Sequence, residues 1–387
     1  MVRKISIITL VMAVALVGMV SMSSAAQNVA NTSQKGSLLI FPKILVQGVI
    51  EGSLGVKAPG SNLGQAPGFA DTYITIGNDY YQEVWVKCYW VDSFQNIEDF
   101  MFRLTPNQPV VFDAALGLSP GMAAEYDVTV PPFLGGVGEL KCWAVNAAGD
   151  SQISFNHLYG NAIILQENAG VVYNAWSFTA RNVALGAVVG TGGNLALTGN
   201  SGDYDACPQY LVTNFIPSGD FSNSSPIDPD LTLVPCKQDL RQDRTPTCTK
   251  AKFDIWNANE TKYTGAYQCL KCWYEGFLNE IGTPTVGFGG DKFTFNSLHT
   301  EIARFRVQGV PSSVCKFGKP SAADPLAKCP AGNGVATPFL GVMLYAEHFG
   351  TTGLLPFAGF TPFGAGFDGS GFVLWDVQGG TPEAPAQ

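Results

Sequence analysis

Along most of this chain, bulky apolar residues alternate with polar ones at a period of two, and the runs end at Gly, Pro, Asn or Asp. Side chains spaced in this way line opposite faces of an extended strand, so the pattern predicts antiparallel β structure with little helix. The run from Asp71 to Ile76 alternates strictly, and Gly77, Asn78 and Asp79 turn the chain into a nearly continuous strand from Glu83 to Val91. Phe100 to Leu104 and Val110 to Phe112 flank a Pro- and Asn-containing turn. Leu140 to Val145 and Gln152 to Phe155 read as a hairpin with Gly149 at its tip, and Val183 to Thr198 as another around Gly190 to Asn194. Short strands with turns about every ten residues point to an all-β protein built from antiparallel, immunoglobulin-like β-sandwiches.

The same order of segments recurs. Ser37 to Lys43 parallels Leu231 to Lys237, Thr75 to Asn78 parallels Asp254 to Asn257, and Val86 to Trp90 parallels Leu270 to Tyr274. Phe100 to Phe102 parallels Phe293 to Phe295, Val110 to Phe112 parallels Ala303 to Val307, and Gly138 to Val145 parallels Gly341 to Ala346. This repetition predicts two related sandwich domains, residues 36–185 and 229–376. A Gly-, Asn- and Pro-rich connection spans 186–228, and a flexible tail spans 377–387. A Leu-Lys-Cys-Trp tetrapeptide at 140–143 and again at 270–273 permits a competing alignment.

Parity along Val84 to Trp90 separates Val84, Val86, Cys88 and Trp90, an inward set, from Trp85, Lys87 and Tyr89. Leu140, Cys142 and Ala144 fit the same inward role, so a Cys88–Cys142 bridge between neighbouring or facing strands is expected. Two buried thiols packing as small hydrophobes are the alternative. Cys236, Cys269, Cys315 and Cys329 are further disulfide candidates. The chain has 9 Cys, an odd number, which leaves at least one sulfur over.

The chemistry of the N-terminus sets the expected address. Arg3 and Lys4 precede an apolar stretch from Ile5 to Val20, and Ser24, Ala25 and Ala26 offer a small-residue cleavage site, so residues 1–26 read as a secretory signal peptide. No later apolar run reads as a bilayer span. A secreted or cell-surface protein with disulfides follows. A charged fraction of 14% excludes a solvated disordered chain, and a net charge of −9 over 387 residues gives the chain as a whole no electrostatic pull on nucleic acid.

Tests for reaction chemistry find little. Cys269 and Cys272 form a CxxC inside a strand pattern, where positions three apart face opposite ways, so a structural role is expected in place of redox or zinc chemistry. His157, His299 and His348 lie in no HExxH, and no P-loop is present. Asn200 to Asp205 and Asp368 to Gly371 are acidic turn loops without full calcium-loop spacing. No catalytic residue, metal ligand or cofactor is assigned. One outward pattern suggests binding: Lys87, Lys141 and Lys271 each sit two residues from an aromatic on the same strand face, namely Trp85 and Tyr89, Trp143, and Trp273. Such a face could stack sugar rings or anchor another protein, or serve only as cross-strand cation–π packing.

The stretches Val234 to Asp243, Phe253 to Asn257 and Thr264 to Cys269 resemble exported proteins of metal-reducing Gram-negative bacteria; Cys248 and Cys272 stand outside the regular pattern. The resemblance implies a cell-surface or extracellular address and brings no activity or catalytic residues. The expectation is therefore a non-enzymatic extracellular structural or interaction protein that meets other surface proteins or itself. A secreted carbohydrate-binding module using the Lys–aromatic face, or a secreted hydrolase with a loop-built site, are the other readings.

Overall fold

A computed structural model of the chain describes residues 29–47, 70–118, 130–166, 169–190, 194–218, 227–237, 240, 247–281, 291–311, 336–347, 360–361 and 373–374. The segment read as a signal peptide, Cys315 and Cys329, His348, the loop at 368–371 and residues 191–193 of the expected hairpin turn lie outside these residues.

The alternating segments fold as strands. In chain order they are β1 (Leu38–Leu45), β2 (Ala70–Asn78), β3 (Val84–Asp92), β4 (Ile97–Leu104), β5 (Pro109–Asp113), β6 (Val137–Val145), β7 (Leu158–Gln166), β8 (Ala169–Asn174) and β9 (Trp176–Phe178). They continue as β10 (Leu211–Phe215), β11 (Ile227–Pro235), β12 (Cys248–Asn257), β13 (Lys262–Lys271), β14 (Tyr274–Phe277), β15 (Ala303–Val310), β16 (Phe339–Glu347), β17 (Phe360–Thr361) and β18 (Val373–Leu374). Helix among the described residues is confined to two 3-10 turns and one short α-helix, α1 (Phe295–Leu298). The protein is all-β.

Four antiparallel sheets result, and none mixes strands from before and after the β9–β10 connection. Sheet 1 has the order β4-β3-β6-β1-β9 and sheet 2 the order β5-β2-β7-β8. Sheet 3 is β14-β11-β16-β17 and sheet 4 is β13-β12-β15-β10-β18. The first apolar cluster joins the inner faces of sheets 1 and 2: Val84, Val86, Cys88 and Trp90 of β3 meet Ile74 and Ile76 of β2, and Leu158, Ala162 and Ile164 of β7. The second joins Leu231 and Leu233 of β11 and Met343 of β16 to Phe253, Ile255, Phe305 and Val307 of sheet 4. It also takes in Leu38, Ile40, Tyr89, Val91 and Trp143 from the opposite face of sheet 1. Sheet 1 is therefore apolar on both sides, which is why β1 and β6 are buried along their whole length and lack a clean alternation.

β1 and β11 take equivalent places, each paired antiparallel with β6 or β16. Leu270 to Tyr274, however, does not continue as Val86 to Trp90 does: the backbone breaks at Cys272, with φ 74°, between β13 and β14. Phe293 to Phe295 is not a strand either, because Thr294 caps α1 by accepting from Ser297 N. The connection at 186–228 contains β10, which pairs with β15 and β18 and completes sheet 4. The hairpin expected over Val183 to Thr198 is replaced, among the described residues, by isolated bridges such as Ile153 to Val188 and Leu197 to Tyr204.

Candidate binding face

Cys88 and Cys142 stand opposite each other on β3 and β6 with Cα atoms 4.1 Å apart, and they form a disulfide. This is the closer kind of antiparallel pair, whose side chains point to one face. Cys236 bonds to Cys207, a residue the sequence reading does not single out. Cys269 and Cys248 are both disulfide-bonded, and Cys272 is a buried thiol.

The Lys–aromatic face expected around Lys87, Lys141 and Lys271 is not an open surface. Tyr89 and Trp143 pack edge to face at 4.8 Å inside the second cluster, with Trp143 only 3% exposed. Lys141 is buried against Glu139 at 2.9 Å. Trp85 and Trp273 are half-buried against the same cluster, and the Trp273 indole N–H donates to the Pro42 carbonyl at 2.9 Å. Lys87 and Lys271 are half-buried, Lys87 lying 3.4 Å from Asp99 and over the Tyr89 ring. Tyr89 and Trp143 lie on the side of sheet 1 opposite the first core, where a second apolar layer covers them, while Trp273 packs against both clusters.

Beneath that layer lies a polar cluster without a sequence motif. β1 and β6 lose register between Phe41 and Ile44, and Pro42, which has no N–H to give a ladder, occupies the bulge. Lys43 is thereby turned out of the strand pattern and buried, paired with Asp230 of β11 and with Glu275 of β14 at 2.5 Å. The Tyr173 hydroxyl accepts from Lys43 N at 3.2 Å and donates to its carbonyl. Burial would pull the Lys43 ammonium towards neutrality, but Asp230 and Glu275 outweigh it and raise its pKa. Burial pushes the Asp230 carboxyl up to about 7, with Lys43 opposing and Glu275 and Glu280 adding to the rise. A lone Lys within the apolar run Leu38 to Leu45, next to Pro, is the signal that could have flagged it.

The titratable candidates have local roles. Asp71 is buried, accepts from Thr72 N at 2.7 Å and Ala115 N at 3.1 Å, and neighbours Asp113. Burial first, then Asp113, raises its carboxyl to about 8. His157 stacks on Tyr80 at 4.1 Å with Nδ1 3.2 Å from Asp79, and His299 caps α1 in the left-handed region. In the Asn200 to Asp205 loop, Asp205 accepts from Thr179 N and Oγ1, each at 2.7 Å, and from Gln34 at 3.0 Å.

A half-buried counterpart of the expected face lies on sheet 4. Along β12, Ala251, Phe253 and Ile255 enter the core, while Lys250, Lys252, Asp254 and Trp256 line the other side. On β15, Phe305 and Val307 point in, leaving Arg304, Arg306 and Gln308 beside them; Asp254 faces Arg306 and Trp256 faces Arg304 in register. β13 adds Tyr267 opposite Lys252 and Lys262 opposite Trp256. Asp254 sits at the centre, bonded to Arg306 at 2.5 Å, with Lys262 at 3.4 Å and Lys252 at 3.9 Å. Burial alone would raise its carboxyl, but these three cations hold it below the usual range.

The rings on this face carry the cations. Lys250 Nζ stands 4.0 Å from the Tyr267 ring centre; Lys262, Arg304 and Arg306 lie 5.3, 5.3 and 5.6 Å from that of Trp256. Arg306 is also 4.7 Å from Tyr210. Burial, and then repulsion from Arg306, lowers the Arg304 pKa, with Glu260 acting against them. Five cations around one central carboxylate thus share a sheet face in a chain of net charge −9. The pattern is legible in the alternation along Cys248 to Asn257 and Ala303 to Val310.

No helix among the described residues is long and apolar enough to cross a membrane. No family model, curated protein or solved structure matches the chain.

Proposed function

We propose that this is a non-enzymatic extracellular or cell-surface interaction protein that engages its partner through the cation-rich face of sheet 4. The observation that carries the reading is the five-cation array of Lys250, Lys252, Lys262, Arg304 and Arg306 on an otherwise acidic chain. An extracellular address is supported by the Cys88–Cys142 and Cys207–Cys236 disulfides, which persist in oxidising compartments, and by the signal-like N-terminus. Surface association is further supported by exposed Val111, Tyr159, Leu165 and Val172 on sheet 2, since apolar surface of this kind favours partners or self-association.

A carbohydrate-binding role is the second reading, moved from the covered face of sheet 1 to the half-buried, cation-rich face of sheet 4. The test is protease shaving of intact producing cells, coupled to rebinding of the purified protein to washed cells. Accessible, oxidised protein that rebinds through sheet 4 is expected. Protein confined to the cytoplasm with reduced cysteines, or rebinding indifferent to Lys250→Gln with Lys252→Gln, would overturn the reading.

A further inference from the structure

We infer that the sheet 4 face takes an acidic polysaccharide, recognised through its carboxylate or sulfate groups; the inference rests on the binding role proposed above for this face.

The arrangement of rings and charges separates polymer classes. A neutral sugar or an unpaired base stacks on an open aromatic face. Here the Trp256 ring is attended by Lys262, Arg304 and Arg306, and Tyr267 by Lys250. The Lys252 and Lys262 side chains are 43% and 44% exposed, while Arg306 is 14% exposed and held by Asp254, so a ligand crossing this face meets ammonium groups beside rings that already carry cations. A protein partner would call for apolar or aromatic anchors at the centre of the patch, whereas the centre of this one is Asp254, with Ile302 exposed only at the start of β15.

Charge and spacing point to a repeating anion. Arg304 and Arg306 stand on one face of β15, two residues apart, with Asp254 bonded to Arg306. Same-face positions on a strand recur at about 6.6 Å and neighbouring strands at about 4.8 Å, so Lys250, Lys252 and the cations of β13 and β15 form a grid several charges wide. One small anion satisfies a single node, while an extended polyanion lying across β13, β12 and β15 satisfies several. Planar guanidinium groups match the paired oxygens of carboxylates and sulfates.

The test is titration of the oxidised protein against polygalacturonate and heparin, with dextran as the neutral polymer and single-stranded DNA of matched charge. Binding to both or either acidic polysaccharide, weakening about tenfold or more between roughly 50 and 200 mM salt, and absent for dextran, is expected. Lys250→Gln with Lys252→Gln should weaken it about tenfold, and Arg304→Gln should do so separately, while Lys35→Gln, an exposed cation elsewhere, leaves it unchanged. Lys250 is half-buried over Tyr267 and Lys252 lies 3.9 Å from Asp254, and neither takes part in the Asp254–Arg306 bond, so retained thermal unfolding separates lost binding from lost folding. Equal binding to dextran, binding to DNA alone, or no binding to either acidic polymer overturns the inference. If washed cells still bind through sheet 4 in that last case, the interaction role survives and only the ligand class fails.

Discussion

Lys43 Nζ lies 2.5 Å from Oε1 of Glu275, a residue 232 positions further along the chain. With Asp230 on its other side, Lys43 ties β1 to β11 and β14, so strands far apart in the sequence share one buried set of charges. Removing one partner from such a set leaves charge stranded without water, at a cost of about 3–5 kcal/mol. Lys43→Met should lower unfolding stability by about that amount in urea titrations. Combining it with Asp230→Asn and Glu275→Gln should recover most of the loss. A single variant as stable as the parent would show that the cluster is not a tie.

Stability should fall as pH rises through neutrality. Burial, assisted by Asp113, lifts the Asp71 carboxyl to about 8, and burial, opposed by Lys43, lifts Asp230 to about 7. Between the ordinary carboxylate range and those values the folded chain holds more protons than the unfolded chain. The contribution is thus fully present below that range, declines as pH rises, and levels off above about 8. Asp254, held low by its cations, works the other way and loses its contribution only on acidification below the usual range. Urea midpoints taken from pH 5 to pH 8 should decline, and Asp71→Asn should flatten the slope; parallel profiles for variant and parent would refute the assignment.

The Cys88–Cys142 bridge spans 54 residues of sequence. Replacing both cysteines with Ala should cost about 2–4 kcal/mol, measured as a shift in the denaturant midpoint. Reduction of the parent protein should reproduce the direction of that shift.

Trp143 and the sheet 4 cations should separate in their effects. Trp143 is buried against Tyr89, so Trp143→Ala should destabilise by about 3–5 kcal/mol and leave the polyanion affinity of the folded fraction unchanged. Arg304→Gln should do the reverse. Loss of affinity in the folded Trp143 variant would return the binding face to sheet 1.

Much of the architecture is local and therefore readable in advance. Period-two alternation and turn residues determine that Val84 to Asp92 and Cys248 to Asn257 are strands, and parity alone places Cys88 and Cys142 on the same kind of buried face. The alternation of Lys250, Lys252, Asp254 and Trp256 likewise determines that they share one side of a strand. Parity cannot say whether that side meets water or another layer. Lys87, Tyr89 and Trp143 follow the same rule as Lys250 and Trp256, yet Tyr89 and Trp143 end buried in a second apolar cluster while Lys250 and Trp256 stay half-buried at the surface of sheet 4.

That difference belongs to the tertiary structure, because burial depends on which sheets pack together across hundreds of residues. The same holds for Lys43, whose partners lie 187 and 232 positions away, and for β10, which becomes a strand by pairing with β15 in place of serving as a linker. Hydrophobic alternation determined the strands and their faces; long-range packing decided which faces lost their water and which charges had to find each other.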